Sequence, residues 1–120
     1  MKKRFQSFSF AITGIITMFK EEPNARIHVG ITILVVALGV FLKVALLEWV
    51  LLTIAIGMVV SAEAFNTAIE CLSDAVTKEQ NNHIKKAKDL AAAGVLICAT
   101  TSVIIGGIVF LPKIYDMIML

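Results

Sequence analysis

The sequence predicts an all-α membrane protein, with an amphipathic surface helix over about residues 1–21 and three spans at about 29–47, 49–71 and 90–111. Three observations carry that prediction. Hydrophobic residues make up 58% of the 120 and charged residues only 17%, too apolar a balance for an ordinary small soluble domain. Residues 90–111 run for 22 positions without a charge, which is long enough to cross the hydrocarbon core. Nine of the 11 basic residues (Lys2, Lys3, Arg4, Lys20, Arg26, Lys78, Lys85, Lys86, Lys88) fall on one side of a three-span arrangement, leaving only Lys43 and Lys113 on the other. That asymmetry places the N-terminus and the 74–88 segment in the cytoplasm and the C-terminus outside.

The first helix is read from Phe5, Phe8, Ile12, Ile15, Ile16 and Phe19 recurring at helical intervals, with Lys2, Lys3, Gln6, Ser9, Thr13, Thr17 and Lys20 largely between them. Such a helix lies in the interface rather than across it. It is expected to be retained, since Lys20, Glu21 and Glu22 follow it and no small-residue cleavage site precedes them. Pro23 breaks the helix, and the 21–28 segment leads into the first span, with Glu22 at the cytoplasmic membrane boundary. That span is interrupted by Lys43, whose ammonium can snorkel to the nearer surface. A short outer turn near 43–48 reverses the chain, and Trp49 stands where an interfacial anchor belongs.

Residues 49–62 are 14 uncharged, mostly apolar positions, and they run straight into Glu63, Asn66, Glu70 and Asp74. At helical pitch these four lie within roughly 80° of one another along about 16 Å. Carboxylates at this depth are costly and mark function. A polar turn over 77–83 follows, the third helix begins over 84–89, and Lys88 and Asp89 flank its span at the cytoplasmic end. Ala91, Ala92, Ala93 and Gly94 keep the start of that span thin enough for close helix approach, and Pro112 is expected to end it.

Several function classes fall away. A net charge of +2 without a basic-aromatic patch does not call for nucleic acid and suits an anionic inner leaflet. Cys71 and Cys98 have neither metal-ligand nor CxxC spacing, so they read as buried thiols. His28 and His83 have no second metal-type ligand at helical spacing and are given no role. An ion-coupled transporter would carry acids deep in more than one span, whereas these cluster at one membrane level and the third span has none.

Glu22, Glu63, Glu70, Asp74, Asp89, Asn66 and Lys88 gather at that level. They supply what phosphoryl transfer needs: hard oxygen ligands for Mg²⁺, a cation for phosphate, and a spare carboxylate to take a hydroxyl proton. Neither a GxxxxGK[ST] loop nor a kinase glycine-rich loop is present.

The run Glu63-Ala64-Phe65-Asn66-Thr67-Ala68-Ile69-Glu70 followed by Asp74, together with Ala87-Lys88-Asp89, the 91–94 stripe and Glu22, resembles the prokaryotic diacylglycerol kinases over about residues 5–113. These are small integral membrane lipid kinases. The resemblance implies ATP- and Mg²⁺-dependent phosphorylation of the primary hydroxyl of a membrane lipid alcohol, in a single domain in the bacterial inner membrane with a cytoplasmic active site. By the same resemblance, Glu63 is the catalytic base and Asn66 orients the site. Glu22 and Glu70 hold the metal, Lys88 and Asp89 engage ATP, and Glu79 makes a weaker nucleotide contact. A homotrimer with shared active sites is implied too. Arg26-Ile27-His28, Glu48-Trp49, Gly106-Gly107 and the 110–113 segment are more similar to the undecaprenol kinase branch than to the enterobacterial diacylglycerol kinases. Either lipid, undecaprenol or diacylglycerol, presents a primary hydroxyl at the interface.

Overall fold

A computed structural model describes every residue from Met1 to Leu120 as four helices in chain order: α1 (Lys2–Glu21), α2 (Pro23–Phe41), α3 (Leu46–Val76) and α4 (Asn82–Met119). There is no strand. The last three are long and apolar enough to cross a membrane.

The α1–α2 corner follows from two residues. Pro23 pushes Glu22 out of the helical region (φ −103°, ψ 113°) and then opens α2 at a position where its missing N–H is no loss. Arg26, one turn into α2, turns its guanidinium back: Nε donates to the Phe19 carbonyl at 3.0 Å and Nη2 to that of Lys20. These are carbonyls that the end of α1 leaves without helical partners.

The connection between α2 and α3 is tightly built. The sequence reading runs the first span to Leu47 through Lys43, but α2 stops at Phe41 and Lys43 sits in the turn with a left-handed backbone (φ 54°). Val44 N–H reaches the Gly39 carbonyl and Lys43 N–H that of Val40, at 3.1 and 3.2 Å. This is the helix-ending pattern usually built on glycine. The start of the next helix at Leu46 is capped by Glu48, whose carboxylate accepts from the Ala45 N–H at 2.9 Å and pairs with Lys113 of α4 at 3.0 Å. Next to it the Trp49 ring lies on Gly39, where a Cβ would come within 2.5 Å of the indole. Val44, Leu52, Val109 and Phe110 form the core there, flanked by Val35, Leu38, Leu42, Trp49, Ile105 and Ile114.

Pro112 does not end α4, contrary to expectation; the helix continues to Met119. A proline removes one N–H and its bond to the fourth preceding carbonyl. Here the segments on both sides are anchored, by Val109 and Phe110 in the core before it and by Lys113 on Glu48 after it. The polar turn before α4 is also shorter than expected, covering only 77–81. The Asn81 side chain accepts from His83 and Ile84 N–H at 2.9 and 3.3 Å and starts α4 two residues before Ile84.

The main packing is α3 against α4, tied within the apolar stretch by Ser102 Oγ donating to the Ala55 carbonyl at 3.0 Å. Few side chains are enclosed: 11 of 120 residues are buried in a slab of 59 × 41 × 21 Å. Its radius of gyration is 17.9 Å, against about 14 Å for a compact soluble domain of this length. Lipid or further protein must therefore cover most of the apolar surface.

Candidate active site

Residue 63 carries the one carboxylate buried in the protein, 3% exposed on the α3 face turned toward α2. Helix α3 has 31 residues, about 46 Å at 1.5 Å per residue, against about 30 Å of hydrocarbon. Its second half therefore reaches from the apolar layer into water, with the acidic stripe on that half.

Two side chains of α2 meet Glu63. Asn24 Nδ2 donates to Oε1 at 3.3 Å, and His28 Nε2 stands 3.9 Å from Oε2. Asn24 and His28 are four residues apart, so one helix face brings both. An ionised carboxylate can accept about four hydrogen bonds, and here it receives a single long one from a side chain. Burial without full satisfaction costs stability and is tolerated where a site needs it.

The next two stripe residues pair with each other, Asn66 Nδ2 donating to Glu70 Oε1 at 3.3 Å. The Asn66 amide oxygen and the Thr67 hydroxyl are both shielded from solvent without a hydrogen-bond partner. Glu22, half-buried at the α1–α2 corner, makes no side-chain hydrogen bond or ion pair. No three acidic, histidine or cysteine side chains of the chain converge as a ready-made cage. The donor set nonetheless suits a hard cation. Glu22, the second oxygen of Glu70 and the orphaned Asn66 oxygen are hard ligands, and Mg²⁺ takes only one or two carboxylates alongside phosphate and water.

Lys88 and Asp89 are neighbours in sequence but face different ways. Lys88 Nζ pairs with Asp74 of α3 at 3.0 Å, whereas Asp89 accepts from Lys85 at 2.7 Å. Successive helical residues diverge by about 100°, which accounts for the split. The Asp89 carboxylate raises the Lys85 ammonium above its ordinary pKa by accepting its hydrogen bond and by charge attraction. Glu79 lies in the 77–81 turn, where its N–H donates to Thr77 Oγ1 at 3.0 Å. A depression of about 350 Å³ brings Glu79 together with Lys78, Lys85 and Lys88.

The structure thus places Glu63 with α2, Asn66 with Glu70, and Glu79 with Lys88 at the lysine-rich depression, while Asp89 pairs with Lys85 and Glu22 stands unpaired at the α1–α2 corner. Asn24 and His28 are contacts that reading the sequence missed. The available signal was their helical spacing at the membrane level assigned to Glu22. A further feature is a cleft of about 290 Å³ between α2, α3 and α4, headed by His28 and lined mainly by apolar residues including Val35, Val59, Val103 and Gly106.

The chain is similar to known proteins over most of its length. The family described as Prokaryotic diacylglycerol kinase matches residues 9–110. The undecaprenol kinase of Bacillus subtilis (strain 168) is 35% identical over 114 residues, covering 95% of this chain and 93% of that protein. The diacylglycerol kinase of Synechocystis sp. is 30% identical over 112 residues, covering 92% of this chain and 64% of its own length. That of Haemophilus influenzae is 27% identical over 105 residues, covering 87% of this chain and 89% of its own. With a match across most of its length and three helices able to span a membrane, the chain belongs to the prokaryotic diacylglycerol kinase family and is a lipid kinase of the membrane.

Proposed function

We propose that this protein transfers the γ-phosphate of ATP to the primary hydroxyl of undecaprenol, at the cytoplasmic face of a bacterial inner membrane. The observation that carries the reading is Glu63, a carboxylate 3% exposed whose Oε2 stands 3.9 Å from His28, a residue lining the apolar cleft. A base in that position meets a lipid alcohol from the membrane side and a nucleotide from the water side.

Glu63 takes the hydroxyl proton as the lipid oxygen forms its bond to the γ-phosphorus and the bond to the ADP oxygen breaks. Asn24 and Asn66 hold the carboxylates of Glu63 and Glu70 by their amide N–H groups. Glu22 and Glu70 would hold Mg²⁺, which when bound neutralises phosphate charge. Lys88 leaves a solvent-accessible ion pair with Asp74 to meet the phosphates, an exchange of low cost at the surface. Glu79 borders the same depression, and Asp89 keeps Lys85 charged beside it.

The undecaprenol assignment rests on the higher identity and fuller coverage of the Bacillus protein. Diacylglycerol is the second reading, favoured by the two relatives of that name. The open slab, with so little enclosed, supports an assembly of three copies sharing sites in which each chain is a single domain. Radiolabelled phosphate transfer in mixed micelles, offering each lipid separately, tests this. Preferential labelling of undecaprenol is expected. Preferential labelling of diacylglycerol overturns the substrate, and labelling of neither overturns the reaction.

A further inference from the structure

Three polar side chains line the cleft between α2, α3 and α4: His28, Thr32 and Ser102. Two are already used by the backbone. Thr32 Oγ1 donates to the His28 carbonyl at 2.7 Å, and Ser102 Oγ to that of Ala55 at 3.0 Å. The His28 imidazole alone has no hydrogen bond, and it lies at the end of the cleft that meets Glu63. Its Nε2 is 3.9 Å from Glu63 Oε2, too far for a direct hydrogen bond. A single oxygen atom about 2.8 Å from both fits between them. Glu63 Oε1 is occupied by Asn24, which leaves Oε2 as the oxygen facing that gap.

We propose that His28 is a substrate-orienting residue: the lipid hydroxyl bridges His28 Nε2 and Glu63 Oε2, with the first part of its chain in the α2/α3/α4 cleft. The proposal rests on the kinase reading above, with Glu63 as base. In the transfer step the proton passes from the hydroxyl to Glu63, the oxygen bonds to the γ-phosphorus, and ADP departs. His28 neither gains nor loses a proton; its hydrogen bond fixes the direction in which the oxygen attacks. The imidazole's ion-pair neighbour is Glu63, not Glu22 or Glu70, so its effect is expected on the lipid and not on the nucleotide.

Steady-state kinetics of wild type, His28→Ala and His28→Gln in mixed micelles provide the test, varying lipid and ATP separately and measuring ATP binding at equilibrium. In His28→Ala, kcat/KM for the lipid is expected to fall at least about tenfold, the size of one lost hydrogen bond. ATP binding and KM for ATP should stay within about twofold. The glutamine amide nitrogen can occupy the place of Nε2, so His28→Gln should recover most of the loss. A glutamine variant no better than alanine, or lipid and ATP parameters falling together, overturns the assignment. Unchanged lipid kinetics in a folded His28→Ala protein overturns it as well, while leaving the kinase reading intact. A wild-type protein that transfers no phosphate to any lipid removes the reading beneath it.

Discussion

The two ends of α3 are built on opposite principles. At the Leu46 end, Trp49 lies on Gly39, Leu52 packs with Val109 and Phe110, and Glu48 has both a backbone N–H and Lys113 as partners. Toward the Val76 end, Glu63 is buried with one long side-chain hydrogen bond, Asn66 keeps an unpartnered oxygen, and Glu22 nearby pairs with nothing. One end closes its polar groups and fills its space. The other leaves polar capacity beside an apolar cleft. The contrast separates what holds the helices together from what is held ready for ligands.

Changing the open end should cost activity and spare the fold. Glu63→Gln keeps the shape and the Asn24 contact but removes the base, so transfer should fall about 10²–10⁴-fold, while equilibrium ATP binding persists. Loss of ATP binding in that variant would assign Glu63 to the nucleotide.

The closed end should respond in the reverse way. Gly39→Leu drives a side chain into the Trp49 ring and should lower stability by about 1–3 kcal/mol, read as an earlier unfolding midpoint in micelles. The fraction that stays folded should keep its KM values. A change in KM without a change in midpoint would break the comparison.

Gly106 sharpens it, because this residue lines the cleft while a Cβ there meets nothing within 4 Å. Gly106→Leu should raise KM for the lipid roughly tenfold by occupying chain space, without lowering the unfolding midpoint. Smallest is Lys43→Gly: relieving a left-handed non-glycine backbone should raise stability by about 1 kcal/mol, with phosphate transfer unaltered.

Much of this was legible in the chain. The stripe from Glu63 to Asp74 was visible because a helix with carboxylates at one pitch beside an uncharged run has few other readings, and α3 carries it. The end of α1 at Pro23 was equally plain. The continuation of α4 through Pro112 was not, because a proline's local effect is read without knowing that Phe110 and Lys113 are anchored by other helices. Lys88 and Asp89 look like one unit in sequence and have separate partners in space. His28 had no metal-type partner along its own helix and looked idle; its neighbour is on α3, 35 positions away.

The sequence by itself determined that this is a helical membrane protein with its candidate site residues at one membrane level, because hydropathy, charge and helical period are properties of each segment alone. Tertiary structure decided which oxygen of Glu63 is engaged, that Asn24 and His28 face it, and that Thr32 and Ser102 are spent on backbone carbonyls. Those outcomes depend on the rotation and height of α2 and α4 against α3. Side-chain packing between helices sets both, and no periodicity within a single helix encodes them.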